Sequence, residues 1–268
     1  MRNEERELAL ETLARGGFVA PDAEADALLG ASSEGVGPIE DLIARRLLGE
    51  PLAWIIGWVR FCGLRVRVDP GVFVPRPHTE ALALRAVALL PPLGVAVDLC
   101  TGSGAVAAVL GSERPRAAVV AADIDPLAVA CARRNGVRAL EGDLDEPLRP
   151  SWRGRVDVMT AVVPYVPTEE LHLVPSDVLA HEPRRALDGG RRGTLVLVRA
   201  AEAATRWLRP GGCVLLELGG DQAEEVAKTL ADVGLSEIHV HRDDDGRDRG
   251  IEARRPDTTP SFPAGAIS

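Results

Sequence analysis

The chain has few aromatic residues and almost no lysine. Its 268 residues include four tryptophans, four phenylalanines and a single tyrosine, Tyr165, while Lys228 is the one lysine among 31 basic residues. The formal net charge is −9, whereas proteins that bind nucleic acid through its phosphates usually carry a basic excess. The composition therefore disfavours a nucleic-acid partner and leaves leucine, valine and alanine to fill the core.

Signals for metals, disulfides and membranes are also missing. The four cysteines (Cys62, Cys100, Cys131 and Cys213) form no Cys-x-x-Cys pair and lie beside no histidine at metal-ligand spacing. No apolar run reaches about 18 residues, and the charged amino terminus is unlike a signal peptide. We therefore expect reduced thiols, no metal, no membrane partner and a cytoplasmic location.

The amino-terminal part alternates helical periodicity with Gly and Pro breakers. This pattern predicts a small domain of about four short helices over residues 1–57, ending near Gly57. In residues 58–79, Leu64, Val66 and Val68 alternate with charged residues, and Asp-Pro-Gly and a second apolar run follow. These features predict a linking β-hairpin that turns at Asp-Pro-Gly.

From Val95 onward, strand, loop and helix patterns repeat. The repetition predicts an α/β fold with a mostly parallel, doubly wound sheet over residues 80–255. The segments "EIHVH" and "GIEAR" read as two short strands that close the sheet as a hairpin. Residues 256–268 are rich in Pro, Thr, Ser and Gly, which predicts a flexible tail.

Ligands of such sheets bind outside the carboxyl ends of the strands. The first loop there reads "DLCTGSGAV", with Asp98 ahead of Gly102 and Gly104. It lacks the third glycine of the dinucleotide pattern, so it suits a ligand without a pyrophosphate, such as a sulfonium with an amino-acid tail. Asp123 ends the next strand, where a carboxylate can accept both ribose hydroxyls, and Asp143 follows the third strand near an adenine amine.

Each of these acidic residues alone is more often a helix cap or a solvated loop residue. Their order together predicts a site for S-adenosylmethionine, which leaves as S-adenosylhomocysteine. The predicted cofactor-binding residues, with their loop neighbours, are Asp98, Cys100, Thr101, Gly102, Gly104, Asp123, Ile124, Asp143 and Leu144.

Three segments resemble signatures of the HemK/PrmC-type protein-glutamine N5-methyltransferase family. They are "GEPLAWIIGWVRFCGLRVRVDPGVFVPRPHTEAL", "HEPRRALDGG" and "RPGGCVLLELGGDQAEEV". The resemblance implies a Rossmann-like class I methyltransferase domain that uses S-adenosylmethionine, preceded by a small helical substrate-binding domain.

The family ends its fourth strand with Asn-Pro-Pro-Tyr, and this chain has Val162, Val163, Pro164 and Tyr165 there. The resemblance implies that Pro164 and Tyr165 face the methyl acceptor. In the family, the asparagine side chain and a proline carbonyl hold the acceptor carboxamide, but Val162 has no donor or acceptor. Losing such a partner costs a buried carboxamide roughly 1–3 kcal/mol, so we expect a changed acceptor or a decayed activity.

Other candidates come from the flanking segments. The resemblance places Arg76 near the mouth of the active site and His78 where the family usually has glutamate. Planar guanidinium groups pair bidentately with carboxylates, which suggests free arginine as the leading acceptor. The carboxylates considered for binding the guanidinium are Glu182, Glu169, Glu170 and Asp177. The predicted catalytic residues are Tyr165, Pro164, Val162 and Glu182.

Four functions follow as alternatives. The first is methylation of a nitrogen on a small molecule or amino-acid side chain. The second is methylation of a glutamine in a peptide-release factor, and the third is a cofactor-binding pseudoenzyme that serves as an interaction module. The fourth, adenine-N6 methylation of nucleic acid, is disfavoured by the negative net charge and by the loss of the polar residue at Val162. The sequence carries no signal for oligomeric state.

Overall fold

The structure is a computed structural model that describes residues 2–257. The predicted tail lies outside the described residues except for its first two positions. The helices are α1 Arg2–Arg15, α2 Pro21–Ser33, α3 Ile39–Leu47, α4 Leu52–Ile56, α5 Thr79–Leu89, α6 Ala105–Glu113, α7 Pro126–Arg134, α8 Ser176–His181, α9 Leu195–Trp207 and α10 Ala223–Asp232. The strands are β1 Trp58–Phe61, β2 Leu64–Arg67, β3 Val95–Leu99, β4 Ala118–Asp123, β5 Ala139–Glu141, β6 Val156–Ala161, β7 Leu208–Glu217, β8 Ser236–Arg242 and β9 Asp248–Arg254.

The first four helices form a bundle with its own apolar core. Leu13, Leu28, Leu42 and Ile55, one from each helix, are almost completely buried against one another. Gly57 ends α4 in the left-handed conformation at φ 84°, which only glycine adopts without strain. The bundle therefore begins and ends close to where the breakers predict.

The linking hairpin exists, but its turn lies earlier than predicted. β1 and β2 pair antiparallel, with Phe61 opposite Leu64. Cys62 and Gly63 between them both have positive φ, 46° and 79°, and such two-residue turns match the twist of the strands. The Asp-Pro-Gly turn was therefore wrong: it follows β2, where proline has no N–H for a ladder.

The central sheet has seven strands in the order β5-β4-β3-β6-β7-β9-β8. The strands β5, β4, β3, β6 and β7 run parallel, and β9 and β8 close one edge as an antiparallel hairpin. This confirms the predicted Rossmann-like doubly wound sheet. The connections reverse direction between β3 and β6, so a crevice opens outside the carboxyl ends of these strands.

Helices cover both faces of the sheet and fix that crevice. On one face, Leu197 and Trp207 of α9 and Val226 of α10 pack against the buried strands β6 and β7. On the other face, α5 and α6 pack through residues such as Val87 and Leu110. No helix in residues 2–257 is both long enough and apolar enough to cross a membrane.

Candidate active site

A cavity of about 960 Å³ lies at the carboxyl edge of the sheet. Its walls are the loops that follow β3, β4, β5 and β6, the linker that follows the hairpin, and the segment 183–188. A cavity of this size holds a drug-sized ligand together with part of a second molecule. The residues predicted to bind the cofactor and those predicted to bind the acceptor therefore line one cavity.

Asp98, at the end region of β3, supports the glycine-containing loop from behind. Its side chain is 1% exposed and accepts hydrogen bonds from the hydroxyls of Thr101 (2.6 Å) and Thr160 (2.7 Å). Burial raises the pKa of Asp98 to about 6. The carboxylate is not part of the cavity wall, so it orders the loop where a direct cofactor contact was expected.

Asp123 has two tasks, one of which the sequence did not reveal. Its Oδ2 accepts the backbone N–H of Gly102 at 2.8 Å, and its Oδ1 accepts the N–H of Asp125 at 2.9 Å. The carboxylate thus joins the loops after β3 and β4, and burial raises the pKa of Asp123. Each carboxylate oxygen has a second lone pair, so two further acceptor positions remain for ribose hydroxyls.

Of the remaining predicted cofactor residues, some line the cavity and Gly104 supports the packing of two helices behind it. A Cβ at Gly104 would lie 2.9 Å from the Cβ of Ala132, so this glycine allows α6 to pack closely against α7. Asp143 lies in the wall but accepts a hydrogen bond from Arg199 at 2.8 Å. The other predicted residues in the wall are Cys100, Thr101, Gly102, Ile124 and Leu144.

These residues fit S-adenosylmethionine. Ile124 is 57% exposed at the cavity, where its apolar side chain offers a surface to a flat base. Asp123 supplies carboxylate acceptors beside it, and the backbone of Gly102 leaves room for close approach. Arg199 and Arg185 also line this region, and Arg185 lies 3.7 Å from Asp125. Sequence reasoning missed both arginines, because they come from distant helices and turns.

Residues 162–165, where the family resemblance predicts the methyl acceptor, line the same cavity, and we call them the acceptor loop. Val162 and Pro164 are half-buried and Val163 is buried. The side-chain amide of Gln222 donates to the carbonyl of Tyr165 at 2.8 Å. Among the described residues, no donor bonds to the carbonyl oxygen of Val163 or Pro164.

Three glycines enclose the acceptor loop. A Cβ at Gly189 would come within 2.6 Å of the carbonyl oxygen of Pro164, and one at Gly193 would collide with the Tyr165 carbonyl. A Cβ at Gly219 would lie 2.5 Å and 2.6 Å from Cδ2 and Cε2 of the Tyr165 ring. The loop is therefore packed from behind against backbone.

Glu182 braces the site from outside the cavity. Its side chain is 1% exposed, accepts from Arg76 at 2.7 Å and from the backbone N–H of Val74 at 3.2 Å. Burial raises the pKa of Glu182, and the Arg76 guanidinium opposes this. Arg76 lies in the wall and stacks over Phe73 at 4.6 Å. Glu182 therefore holds Arg76 and the linker, and it does not face an acceptor as predicted.

The other carboxylates proposed for a guanidinium are not gathered at the cavity. Glu169 and Glu170 are exposed on the 3₁₀ turn Thr168–Leu173, and Asp177 is exposed in the first turn of α8. None lies in the cavity wall. The aspartates and arginines of that wall are equal in number: Asp123, Asp125, Asp143 and Asp188, with Arg76, Arg184, Arg185 and Arg199. The wall thus has no acidic excess to attract a guanidinium.

Comparison with known proteins agrees with this geometry. Residues 81–251 match the family model described as FtsJ-like methyltransferase. The chain is 37% identical to the release factor glutamine methyltransferase of Geobacter sulfurreducens, over 80% of this chain and 76% of the relative. It is also 37% identical to the release factor glutamine methyltransferase of Mycolicibacterium smegmatis, over 93% of this chain and 96% of the relative.

A solved methyltransferase from Pyrococcus furiosus has the same fold, with a TM-score of 0.56 and 21% identity over 81% of this chain and 99% of that chain. The cavity fits S-adenosylmethionine, and the relatives align along nearly the whole chain. The protein is thus an S-adenosylmethionine-dependent methyltransferase, and it belongs to the HemK/PrmC-type family of release factor glutamine methyltransferases.

Proposed function

We propose that the protein methylates the side-chain amide nitrogen of a glutamine in a polypeptide, with a peptide-release factor as its substrate. The relatives that cover most of the chain carry this activity in their names. The observation that carries the proposal is the backbone carbonyl of Val163: this residue lines the cavity beside Tyr165, and no donor among the described residues bonds to its carbonyl oxygen. A primary amide has two N–H groups and can donate one of them to this carbonyl.

The charge of the wall favours a neutral acceptor over a cation. Its four aspartates are balanced by four arginines, and Asp143 and Asp188 are already hydrogen-bonded to Arg199 and Thr168. An amide needs no counter-charge, whereas a guanidinium buried here would need one. An amide is therefore preferred to free arginine as the acceptor.

The chain contributes mainly position and exclusion of water. When bound, the cofactor supplies an electrophilic methyl group on a sulfonium. The carbonyl of Val163 would orient the acceptor NH2, and the ring of Tyr165 would limit its sideways movement. Holding both groups in a cavity wall built largely from apolar side chains removes water that would compete for these bonds. After methylation the amide nitrogen releases one of its two protons to solvent as the product leaves the cavity, because the cation formed is strongly acidic.

A second candidate is favoured by one specific residue. Val162 is half-buried in the wall, at the position where the family resemblance expects an asparagine side chain to bind the carboxamide. Without that partner, the site holds an amide less strongly, and another side-chain or small-molecule nitrogen becomes a competitor. The second candidate is therefore N-methylation of an acceptor other than release-factor glutamine.

Labelled S-adenosylmethionine and purified release factor test the proposal, with the acceptor glutamine identified by mass spectrometry. We expect slow, glutamine-specific labelling by the natural chain. Val162→Asn should restore an amide partner and raise kcat/KM by about tenfold, as expected for one hydrogen bond of roughly 1–3 kcal/mol.

The matched control is Val162→Ala, which changes volume without adding a polar group. If neither the natural chain nor Val162→Asn labels the release factor, while a panel of free amino acids and amines is labelled, the second candidate replaces the first.

A further inference from the structure

Two arginines of the cavity wall, Arg185 and Arg199, have no part in the proposed transfer. Both come from the connection between β6 and β7, and each is paired with an aspartate that follows β4 or β5. In the sheet, β3 lies between β4 and β6. The two ion pairs therefore join opposite sides of the crevice that is expected to hold the cofactor.

The pair of Arg199 with Asp143 closes the crevice on the face of the sheet that carries α9. Arg199 donates to Oδ2 of Asp143 at 2.8 Å. Leu144, the next residue after Asp143, is buried in the same apolar core as Leu197 of α9. Packing therefore supports this pair, and the α9 face of the crevice is closed by the fold itself.

Asp125, at the start of α7, lies on the opposite face, where α7 packs with α6. Its N–H donates to Oδ1 of Asp123 at 2.9 Å, and its own Oδ1 accepts the N–H of Leu127 at 2.9 Å. Its Oδ2 lies 3.7 Å from Nη1 of Arg185. The predicted ribose acceptor and the helix thus hold Asp125 in place, and the Arg185 end of the pair is the exposed one.

The segment that carries Arg185 is attached to the acceptor side. Arg185 lies in the 3₁₀ turn Arg184–Ala186, and its side chain is 62% exposed at the rim of the cavity. Leu187 is buried, and its carbonyl accepts at 2.9 Å the N–H of Val166, which follows the acceptor loop. Among the described residues, the pair with Asp125 is the one ion pair that joins this segment to the loop after β4.

We infer that Arg185 is a positioning residue for the cofactor: paired with Asp125, it closes the crevice on the α7 face and slows the release of S-adenosylmethionine. Asp123 and Ile124, where the ribose and the base are expected, directly precede Asp125 and line the same cavity. A nucleoside that leaves past this rim must displace the Arg185 side chain. The inference concerns the cofactor alone and holds for either candidate acceptor.

The dissociation rate of the cofactor tests the inference without any acceptor. Labelled S-adenosylmethionine is bound to the full chain and its release into an excess of unlabelled cofactor is followed. Arg185→Gln removes the charge and keeps a polar side chain. We expect release to become about threefold faster, the size of effect expected from one exposed ion pair, and the loss of affinity to come mainly from this rate.

Asp125→Asn examines the other end of the pair. An asparagine oxygen can still accept the N–H of Leu127, so α7 remains capped while the charge is lost. This variant should also release the cofactor about threefold faster, and the double variant with Arg185→Gln should be no faster than either single variant. Multiplied effects in the double variant would show that the two residues act separately and would contradict the inference.

The salt response separates an ionic contact from a purely structural role. Raising NaCl from about 0.1 M to about 1 M shortens the Debye length from about 10 Å to about 3 Å. Release from the natural chain should therefore accelerate towards the rate of Arg185→Gln, and the rate of that variant should change little.

Arg192→Gln is the matched control. Arg192 is also exposed and paired, with Glu225 at 3.5 Å, but it lies outside the cavity wall. Its replacement makes the same change of charge and should leave the release rate unchanged. An unchanged rate in Arg185→Gln, or an equal acceleration in Arg192→Gln, would overturn the inference.

Discussion

The two sides of the cavity are built in different ways. The cofactor side depends on carboxylates, and these are already bonded to the protein: Asp98 to two threonines and Asp123 to two backbone amides. The proposed acceptor side depends on the backbone carbonyl of Val163, which has no partner among the described residues, and on one tyrosine packed from behind. Charge organises the first side, and close packing organises the second.

This difference explains why the two sides tolerate change differently. Removing a carboxylate on the cofactor side breaks bonds inside the protein as well as bonds to the ligand. A change such as the family's asparagine to Val162 alters a side chain of the acceptor wall, but it leaves the carbonyls and the tyrosine in place. The acceptor can therefore change while the cofactor site is retained.

The largest effect is expected at Asp123, where cofactor binding and loop structure coincide. Asp123→Ala should weaken S-adenosylmethionine binding by about a hundredfold, since charged hydrogen bonds contribute roughly 1.5–3 kcal/mol each. Titration calorimetry measures this change, and Asp123→Asn, which keeps one acceptor oxygen, should lose less. An unchanged dissociation constant for Asp123→Ala would place the ribose elsewhere.

A smaller effect, confined to the other side, is expected from Gly219→Ala. The new Cβ would lie 2.5 Å from the Tyr165 ring and push it out of place. Acceptor turnover should fall by about tenfold, and overpacking should cost about 1–3 kcal/mol of folding stability. Cofactor affinity should remain within a few-fold, and parallel calorimetry and turnover assays check both. Equal losses in the two assays would contradict the separation of the two sides.

A third effect changes neither cofactor binding nor turnover directly and concerns the pH dependence of stability contributed by Asp98. Its pKa is raised to about 6 in the folded protein, so its contribution to stability is present below its unfolded value and is lost as pH rises through about 6. Asp98→Asn removes this loss. Without cofactor, the stability of Asp98→Asn relative to the natural chain should rise by on the order of 2 kcal/mol between about pH 4 and pH 7.

Thermal unfolding of both proteins across that range gives the measurement. A pH-independent difference between them would mean that Asp98 is not the titrating group.

Most of the fold could be predicted because it follows from local patterns. The periodicity located the four amino-terminal helices, the parallel strands and the closing β8–β9 hairpin, and two of the acidic residues at strand ends, Asp123 and Asp143, lie in the cavity wall. The hairpin turn was misplaced because Asp-Pro-Gly is the stronger turn signal in sequence, whereas Cys62 and Gly63 carry the positive φ values. A non-glycine residue in that conformation leaves little trace in a sequence.

The acceptor site was predicted less well, because its geometry depends on contacts between distant segments. Acidic residues close to Tyr165 in sequence, such as Glu169, are exposed to solvent. Glu182 forms an ion pair with Arg76, which lies 106 residues away in the sequence. Gln222 contacts the tyrosine only because β6 and β7 are neighbours in the sheet. Nothing in local sequence indicates which carboxylate will face a cavity and which will be buried behind it.

The three glycines around the acceptor loop also limit how this enzyme could be given a new substrate by directed evolution. Gly189 and Gly193 lie in the turn before α9 and Gly219 follows β7, and a side chain at any of them would meet the loop. Random libraries at these positions would mostly return inactive variants. Val162 lines the cavity with a half-buried side chain. The other half-buried residues of the loop are Pro164, which restrains the backbone, and Tyr165, which packs against Gly219. A focused library at Val162 therefore samples acceptor preference with the least damage to the scaffold.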